Sequence, residues 1–232
     1  MISLVIPTYN ERENILELIR QVEKSFASAG MNDFEILVMD DDSPDGTAGA
    51  VNELKHAKIH AINRKGKPRG LSAAVIDGFK ESKGSMVGVI DADLSHPPEI
   101  LPRLVEALRD GGYNIAVGSR YVAGGGIRHW PVKRVVTSRV ACWLARPLTR
   151  VRDATSGFFF LKKSVLEDVV LNPLGFKIGL EVYVKAKHGD KIKEVPYTFT
   201  DRRAGTSKLN PFIMACYLRQ LFSLLKEKRS RR

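Results

Sequence analysis

Short apolar runs alternating with stretches of helical periodicity narrow the folds open to this chain more than any other feature. Residues 2–6, 34–39, 59–63, 86–90 and 115–119 have the length and apolar character of strands. Between them Ile15, Leu18, Ile19, Val22 and Phe26 recur at helical spacing, and Gly30 closes that helix. A short helix after Thr47 is expected to turn Val51 and Leu54 inward. Another is expected over 71–83, and a third after Pro97-Pro98 carries Leu101, Leu104 and Leu108. Strands and helices in this rhythm build βαβ units, hence an α/β fold with a mostly parallel central sheet flanked by helices. Such sheets bind ligands beyond the carboxyl ends of their strands. Those ends are Pro7-Thr8-Tyr9-Asn10-Glu11, Asp40-Asp41-Asp42, Asp91-Ala92-Asp93 and Ser119-Arg120, which places all four on one rim.

The rim is acidic at its centre. Asp91 and Asp93 leave an extended strand two residues apart and so point the same way. Two neighbouring carboxylates repel unless a positive charge joins them, and carboxylate oxygen suits a hard divalent cation. The plain alternative is a pair of solvated loop aspartates. A phosphatase with Asp91 as nucleophile and Asp93 as acid is a further alternative. That chemistry wants the pair after the first strand and Thr or Val two residues later, whereas here it follows the fourth and Ser95 stands there. No Gly-x-Gly-x-x-Gly follows the first strand and no Gly-x-x-x-x-Gly-Lys-Ser/Thr occurs, so a nucleotide would be held by side chains and metal.

The second half is less regular. A Gly loop at 123–126 precedes a helix expected over 132–148. The run 158–161 reads as a strand whose phenylalanines are core. A helix is expected after Lys163 and another over 179–188, with an edge strand over 195–199. The formal charge is +11, and between Tyr121 and Arg152 the only charged residues are basic. Such stretches attract phosphates on nucleic acid, lipid or substrate. Cys142 and Cys216 suggest neither a disulfide framework nor a metal cluster and are read as ordinary apolar residues in a reducing compartment, while the five histidines show no ligand spacing and are read as surface or structural residues. Met1 leads directly into a strand with no signal peptide, and no apolar run is long enough to span a bilayer.

Taken together, Val5-Ile6-Pro7-Thr8-Tyr9-Asn10-Glu11, the acidic turn 40–47, Asp91-Ala92-Asp93-Leu94-Ser95-His96-Pro97-Pro98, Gly118-Ser119-Arg120-Tyr121, Lys133-Arg134 and the loop 201–208 resemble the family 2 glycosyltransferases. Within that family they resemble the members that load a sugar onto a polyprenyl phosphate. The resemblance implies a GT-A fold over 1–209, with a nucleotide-sugar-binding part (1–119) and an acceptor-binding part (120–209), followed by an amphipathic basic helix and tail (210–232). It implies that Pro7, Tyr9, Glu11, Val38, Asp40, Asp91 and Ala92 hold the donor, and that Arg202 and Lys208 close over its diphosphate. Asp93 with Ser95, and Asp91 beside them, would hold Mg2+ or Mn2+. Arg120, Arg134 and Ser138 would meet the acceptor phosphate, making Asp93, Arg120 and Arg134 the catalytic set.

The implied reaction moves mannose from GDP-mannose to a dolichyl or polyprenyl phosphate with inversion; glucose from UDP-glucose is the alternative. Nucleic-acid binding through the basic surface is disfavoured, since it leaves the acidic rim unexplained. A lipid acceptor implies a peripheral enzyme at the cytosolic face of a membrane, brought there by its own helices or by a membrane-anchoring partner protein. In the last helix, Ile213, Met214, Tyr217, Leu218, Leu221, Leu224 and Leu225 are expected on one broad face with Phe222 at its margin. Arg219, Gln220, Ser223, Lys226 and Glu227 are expected opposite.

Overall fold

The computed structural model describes residues 1–172, 176–200 and 211–230. Seven strands form one sheet in the order β3-β2-β1-β4-β7-β5-β8. Strands β1 (Ile2–Thr8), β2 (Phe34–Asp40), β3 (Ile59–Asn63) and β4 (Met86–Val89) run parallel, with Thr8 opposite Asp40 and Val5 opposite Val89. Strand β7 (Phe159–Lys162) runs antiparallel between β4 and β5 (Ile115–Ser119), and β8 (Ile192–Pro196) closes the edge parallel to β5. The four expected strand ends therefore do share a rim. The mostly parallel sheet carries one reversed strand that the helical rhythm could not announce.

All seven residues of β1 are buried, as a parallel strand covered on both faces requires. Alternate residues feed two cores. Leu4, Ile6, Ile36 and Val38 pack with Ile15, Leu18, Ile19 and Val22 of α1 (Arg12–Ser28) and with Leu101, Leu104 and Leu108 of α4 (Leu101–Arg109). Val5, Leu37, Met39, Val87 and Val89 pack on the other face with Ala74, Val75 and Phe79 of α3 (Leu71–Glu81). The phenylalanines divide the same way, Phe158 and Phe160 to the first core and Phe159 to the second. Gly88 lies directly under the Phe160 ring, where a Cβ would overlap it.

Several expectations change. In α2 (Thr47–Asn52) Val51 is buried, but Leu54 lies beyond the helix end and is exposed. The segment after Lys163 is a single 3-10 turn, Lys163–Leu166. The helix expected over 132–148 is α5 (Val132–Leu144), and that expected over 179–188 is α6 (Ile178–Lys185). The edge strand is two pieces: β8, and β9 (Thr198–Thr200), which leaves the sheet to pair with β6 (Gly126–Arg128). Pro196 ends β8 at this break.

A third core joins α5, α6 and α7 (Pro211–Ser230) through Ala145, Leu148, Leu180, Tyr217, Leu221 and Leu224. Tyr217 Oη donates to Ala141 O at 2.6 Å and Lys185 bridges Glu181 and Glu227, so α7 is bonded to both neighbours. Gln220, expected on the polar stripe, is buried and donates to Lys177 O, while Leu218 and Phe222 are exposed. The helix is docked through a face rotated from the one its composition suggests. The side chain of Ile213 lies outside the described residues.

Candidate active site

Beyond the rim opens a cleft of 620 Å3 lined by Pro7, Tyr9, Glu11, Asp91, Ala92 and Asp93 on one side. Arg120, Arg134 and Ser138 line the other side, and Met214 and Tyr217 of α7 contribute to its wall. One space thus gathers most of the residues expected to hold donor and acceptor. A wider hollow of about 1040 Å3, around Met86 and Lys162 at the opposite end of the sheet, contains none of them.

The rim turns are tight. Asn10, Asp42 and Leu94, each just past a rim strand, have φ of 58°, 59° and 59°. Left-handed backbone is costly for a residue with a Cβ, most so for Leu94, which has no polar group to support it. Such residues cluster where structure around them holds an active geometry. Ser95 N and Oγ both donate to Asp93 Oδ1, at 3.1 and 2.5 Å, tying the turn into a loop. Beneath it lies His96, buried and stacked on Phe158 with ring centroids 5.0 Å apart. Its Nδ1 accepts from Asp91 N at 3.4 Å. Burial lowers its pKa against the opposing pull of Asp91 and Asp93, so the ring is neutral and structural.

Three expected residues stand elsewhere than in the cleft. Val38 is buried inside β2. The Asp40 carboxylate is fully buried, accepting from Thr8 Oγ1 and from Ser43 N and Oγ. Ser95 faces Asp93 and is buried. The carboxylate beside the cleft at the end of β2 is instead Asp41, clamped by the Arg64 guanidinium and by Gly70 N at 2.7 Å. Arg64 also bonds Asp77 and Pro68 O, which fixes the basic loop 65–70. Gly70 has φ 138°, a backbone that excludes other residues, and Arg69 lies over the Tyr9 ring at 5.4 Å. Arg202 and Lys208 lie outside the described residues.

The cationic side is graded. Arg120 is buried, its Nε and Nη2 on the two Asp153 oxygens at 2.7 and 2.6 Å, and Nη2 on Thr155 Oγ1 at 3.0 Å. Burial alone would lower its pKa; the hydrogen bonds and charge of Asp153 outweigh that and raise it. Tyr121, Trp130 and Phe199 surround the guanidinium at 5.2–5.7 Å. Arg120, expected from sequence as an acceptor ligand, lines the cleft while ion-paired to Asp153. Arg134 stacks on Trp130 at 4.0 Å. It shares one face of α5 with Thr137, Ser138 and Ala141, spaced three and four residues apart and all lining the cleft. Sequence reasoning missed Asp153, Trp130 and Lys177, because what marks them is proximity across the fold.

The description "Glycosyl transferase family 2" belongs to the family model that matches residues 3–170. The chain is 47% identical over 229 residues to a dolichol-phosphate mannosyltransferase of Pyrococcus furiosus, covering 97% of this chain and 64% of that protein. It is 40% identical to the protein of that name from Saccharomyces cerevisiae, with 96% of this chain and 86% of that one covered. The chain thus spans less than two thirds of the archaeal relative's length. Among solved structures, glucosyl-3-phosphoglycerate synthase from Mycobacterium tuberculosis with Mn2+, UDP-glucose and phosphoglyceric acid superposes with a TM-score of 0.71. Identity there is 24%, over 97% of this chain and 78% of that one. The fold is the GT-A α/β fold. With a sheet, a rim and a sequence of this kind, the chain belongs to glycosyl transferase family 2.

Proposed function

We propose that this chain transfers mannose from GDP-mannose to a dolichyl or polyprenyl phosphate with inversion at the anomeric carbon. The observation that carries the reading is the single cleft that joins the Asp91–Asp93 rim to Arg134 and Ser138 of α5. Similarity to proteins named dolichol-phosphate mannosyltransferase supports the sugar and the acceptor. In this reading residues 1–119 supply the donor side and 120–209 the acceptor side, and the two parts share one sheet in which β7 lies between β4 and β5.

The acceptor is its own nucleophile. A phosphate monoester has a second pKa of about 6, so at neutral pH it is largely dianionic and needs no protein base. Its oxygen attacks the anomeric carbon, the bond from that carbon to the diphosphate breaks, and the nucleoside diphosphate leaves with the electron pair. No proton moves. Arg134 and Ser138 orient the attacking phosphate, which makes the encounter effectively unimolecular.

Asp91 and Asp93 offer hard oxygen donors. Among the described residues there is no cluster of three or more His, Cys, Asp or Glu suited to a metal ion. Two carboxylates completed by substrate phosphates and water is a donor set that Mg2+ or Mn2+ accepts. Held by Asp93, with Asp91 beside it, such a cation would stabilise charge on the departing diphosphate. The M. tuberculosis structure contains Mn2+ with UDP-glucose, a parallel for metal and nucleotide sugar at the level of the fold.

The acceptor also draws the enzyme to a lipid surface. Among the described residues no helix is long and apolar enough to cross a membrane. Val132, Val136, Val140 and Trp143 form a stripe on α5 directly opposite its cleft-lining face, 78% exposed at Val132 and 61% at Trp143. Lys133 and Arg139 flank the stripe. An apolar stripe edged with basic residues suits an anionic bilayer surface, and here it sits behind the acceptor-binding residues.

The test is radiolabelled transfer to a short polyprenyl phosphate, with GDP-mannose and UDP-glucose side by side and Mn2+ present. Mannose transfer is expected to exceed glucose transfer, and Asp93→Ala is expected to abolish it. Glucose transfer as the dominant activity would replace the donor assignment, and full activity of Asp93→Ala would remove the metal site.

A further inference from the structure

Lys177 is the N-cap residue of α6, with its side chain in the cleft. A lysine there opposes the helix dipole, which favours negative charge at an N-terminus. Its Nζ donates to Thr155 O at 3.2 Å. An ammonium has three protons to donate, and among the described residues this one forms no ion pair with a carboxylate. Thr155 also links it to Arg120, whose Nη2 is on the Thr155 hydroxyl while Lys177 is on the carbonyl. Of these two neighbouring cations, Arg120 is matched by Asp153 and Lys177 has no such match. Burial, the largest influence, lowers the Lys177 pKa, and Arg120 adds to this against the pull of Asp91 and Asp153. A half-buried charge on a cleft wall, set against a helix dipole and beside a like charge, favours an anion that completes it.

We infer that Lys177 is a catalytic residue that binds the phosphate of the acceptor. The inference rests on the acceptor reading above and adds a residue to it. Lys177 shares the cleft with both Asp91 and Arg134, the residues read as donor and acceptor sides. In the attack the acceptor passes from a dianion to a phosphodiester monoanion. A cation there favours binding of the dianion and orients the oxygen that attacks.

The experiment is calorimetric titration of the intact protein, with GDP and Mn2+ present, using farnesyl phosphate and inorganic phosphate as separate probes. Lys177→Met is expected to weaken farnesyl phosphate roughly tenfold to a hundredfold, the loss of one charge-assisted contact. Inorganic phosphate should weaken likewise, and the affinity for GDP with Mn2+ should stay within about twofold. Lys177→Arg keeps the charge and should retain most of the farnesyl phosphate affinity, and thermal melts verify that both variants are folded. Equal phosphate binding by folded Lys177→Met overturns the inference. Loss confined to GDP also overturns it, because Lys177 would then serve Asp91 and the donor. Wild-type protein that binds inorganic phosphate through Lys177 but ignores farnesyl phosphate keeps the anion site and sinks the lipid-acceptor reading.

Discussion

Arg120 and Arg134 carry the same charge into the same cleft, yet their surroundings differ. Arg120 is a buried pair with Asp153, and breaking such a pair strands the partner's charge. Arg120→Ala is expected to lower stability by about 3–5 kcal/mol, read from urea unfolding, with any loss of transfer secondary to that. Arg134→Ala removes a cation that stacks on Trp130 at the cleft face of α5. It is expected to leave the urea midpoint nearly unchanged and to lower acceptor-dependent kcat/KM tenfold or so, the scale of one charge-assisted contact. If both variants unfold at the wild-type midpoint, the division between framework and ligand arginine is wrong. From sequence the two were indistinguishable, both being basic residues, on either side of the glycine loop 123–126. Asp153, 33 residues beyond Arg120, is what separates them. The Asp-x-Asp pair was legible as the acidic exit of an apolar strand, although β4 stops at Val89 and both aspartates lie in the turn beyond it rather than along the strand. Lys177 was not, because its neighbours Thr155 and Arg120 come from other parts of the chain.

At the scale of elements, α5 has the clearest division of labour. Arg134, Thr137, Ser138 and Ala141 face the cleft, and Val132, Val136, Val140 and Trp143 face away. Val136→Glu with Val140→Glu should reduce co-sedimentation with anionic liposomes severalfold, by setting charge against an anionic surface. Transfer to a short, soluble polyprenyl phosphate should persist. Unchanged sedimentation would move the lipid contact to another surface, Leu218 and Phe222 of α7 being the next exposed apolar pair. The helices themselves were largely legible, since α1 buries all five of the apolar positions its periodicity marks. Orientation in α7 was not. Periodicity gives an apolar face but not the edge that docks, and there Tyr217 and Gln220 chose it by bonding Ala141 and Lys177.

Across the whole molecule, the acidic limb of stability follows from carboxylates set among cations. Burial raises the Asp77 pKa, but hydrogen bonds from Arg64 and Lys67 outweigh it and hold the group below its ordinary 3.8. Asp45 is held down in the same way by Thr47 and Arg12. A carboxylate whose folded pKa is depressed adds stability above its unfolded value, and that stability is lost as pH falls through the folded one. Urea midpoints should therefore be steady from pH 7 to about 5 and fall below about 4, with a shallower fall in Asp77→Asn. An identical acid limb in that variant would exclude this origin. The overall α/β plan was legible in the strand–helix rhythm, but the antiparallel β7 was not, since an apolar run carries no sign of its direction. That strand also bears on how the protein is made. Val89 pairs with Phe159, so a growing chain has β1 to β4 complete long before β7 leaves the ribosome. At roughly 5–20 residues per second, β4 waits several seconds with one edge bare, flanked by the apolar Val87 and Val89. An unpaired edge of that kind invites pairing with another chain.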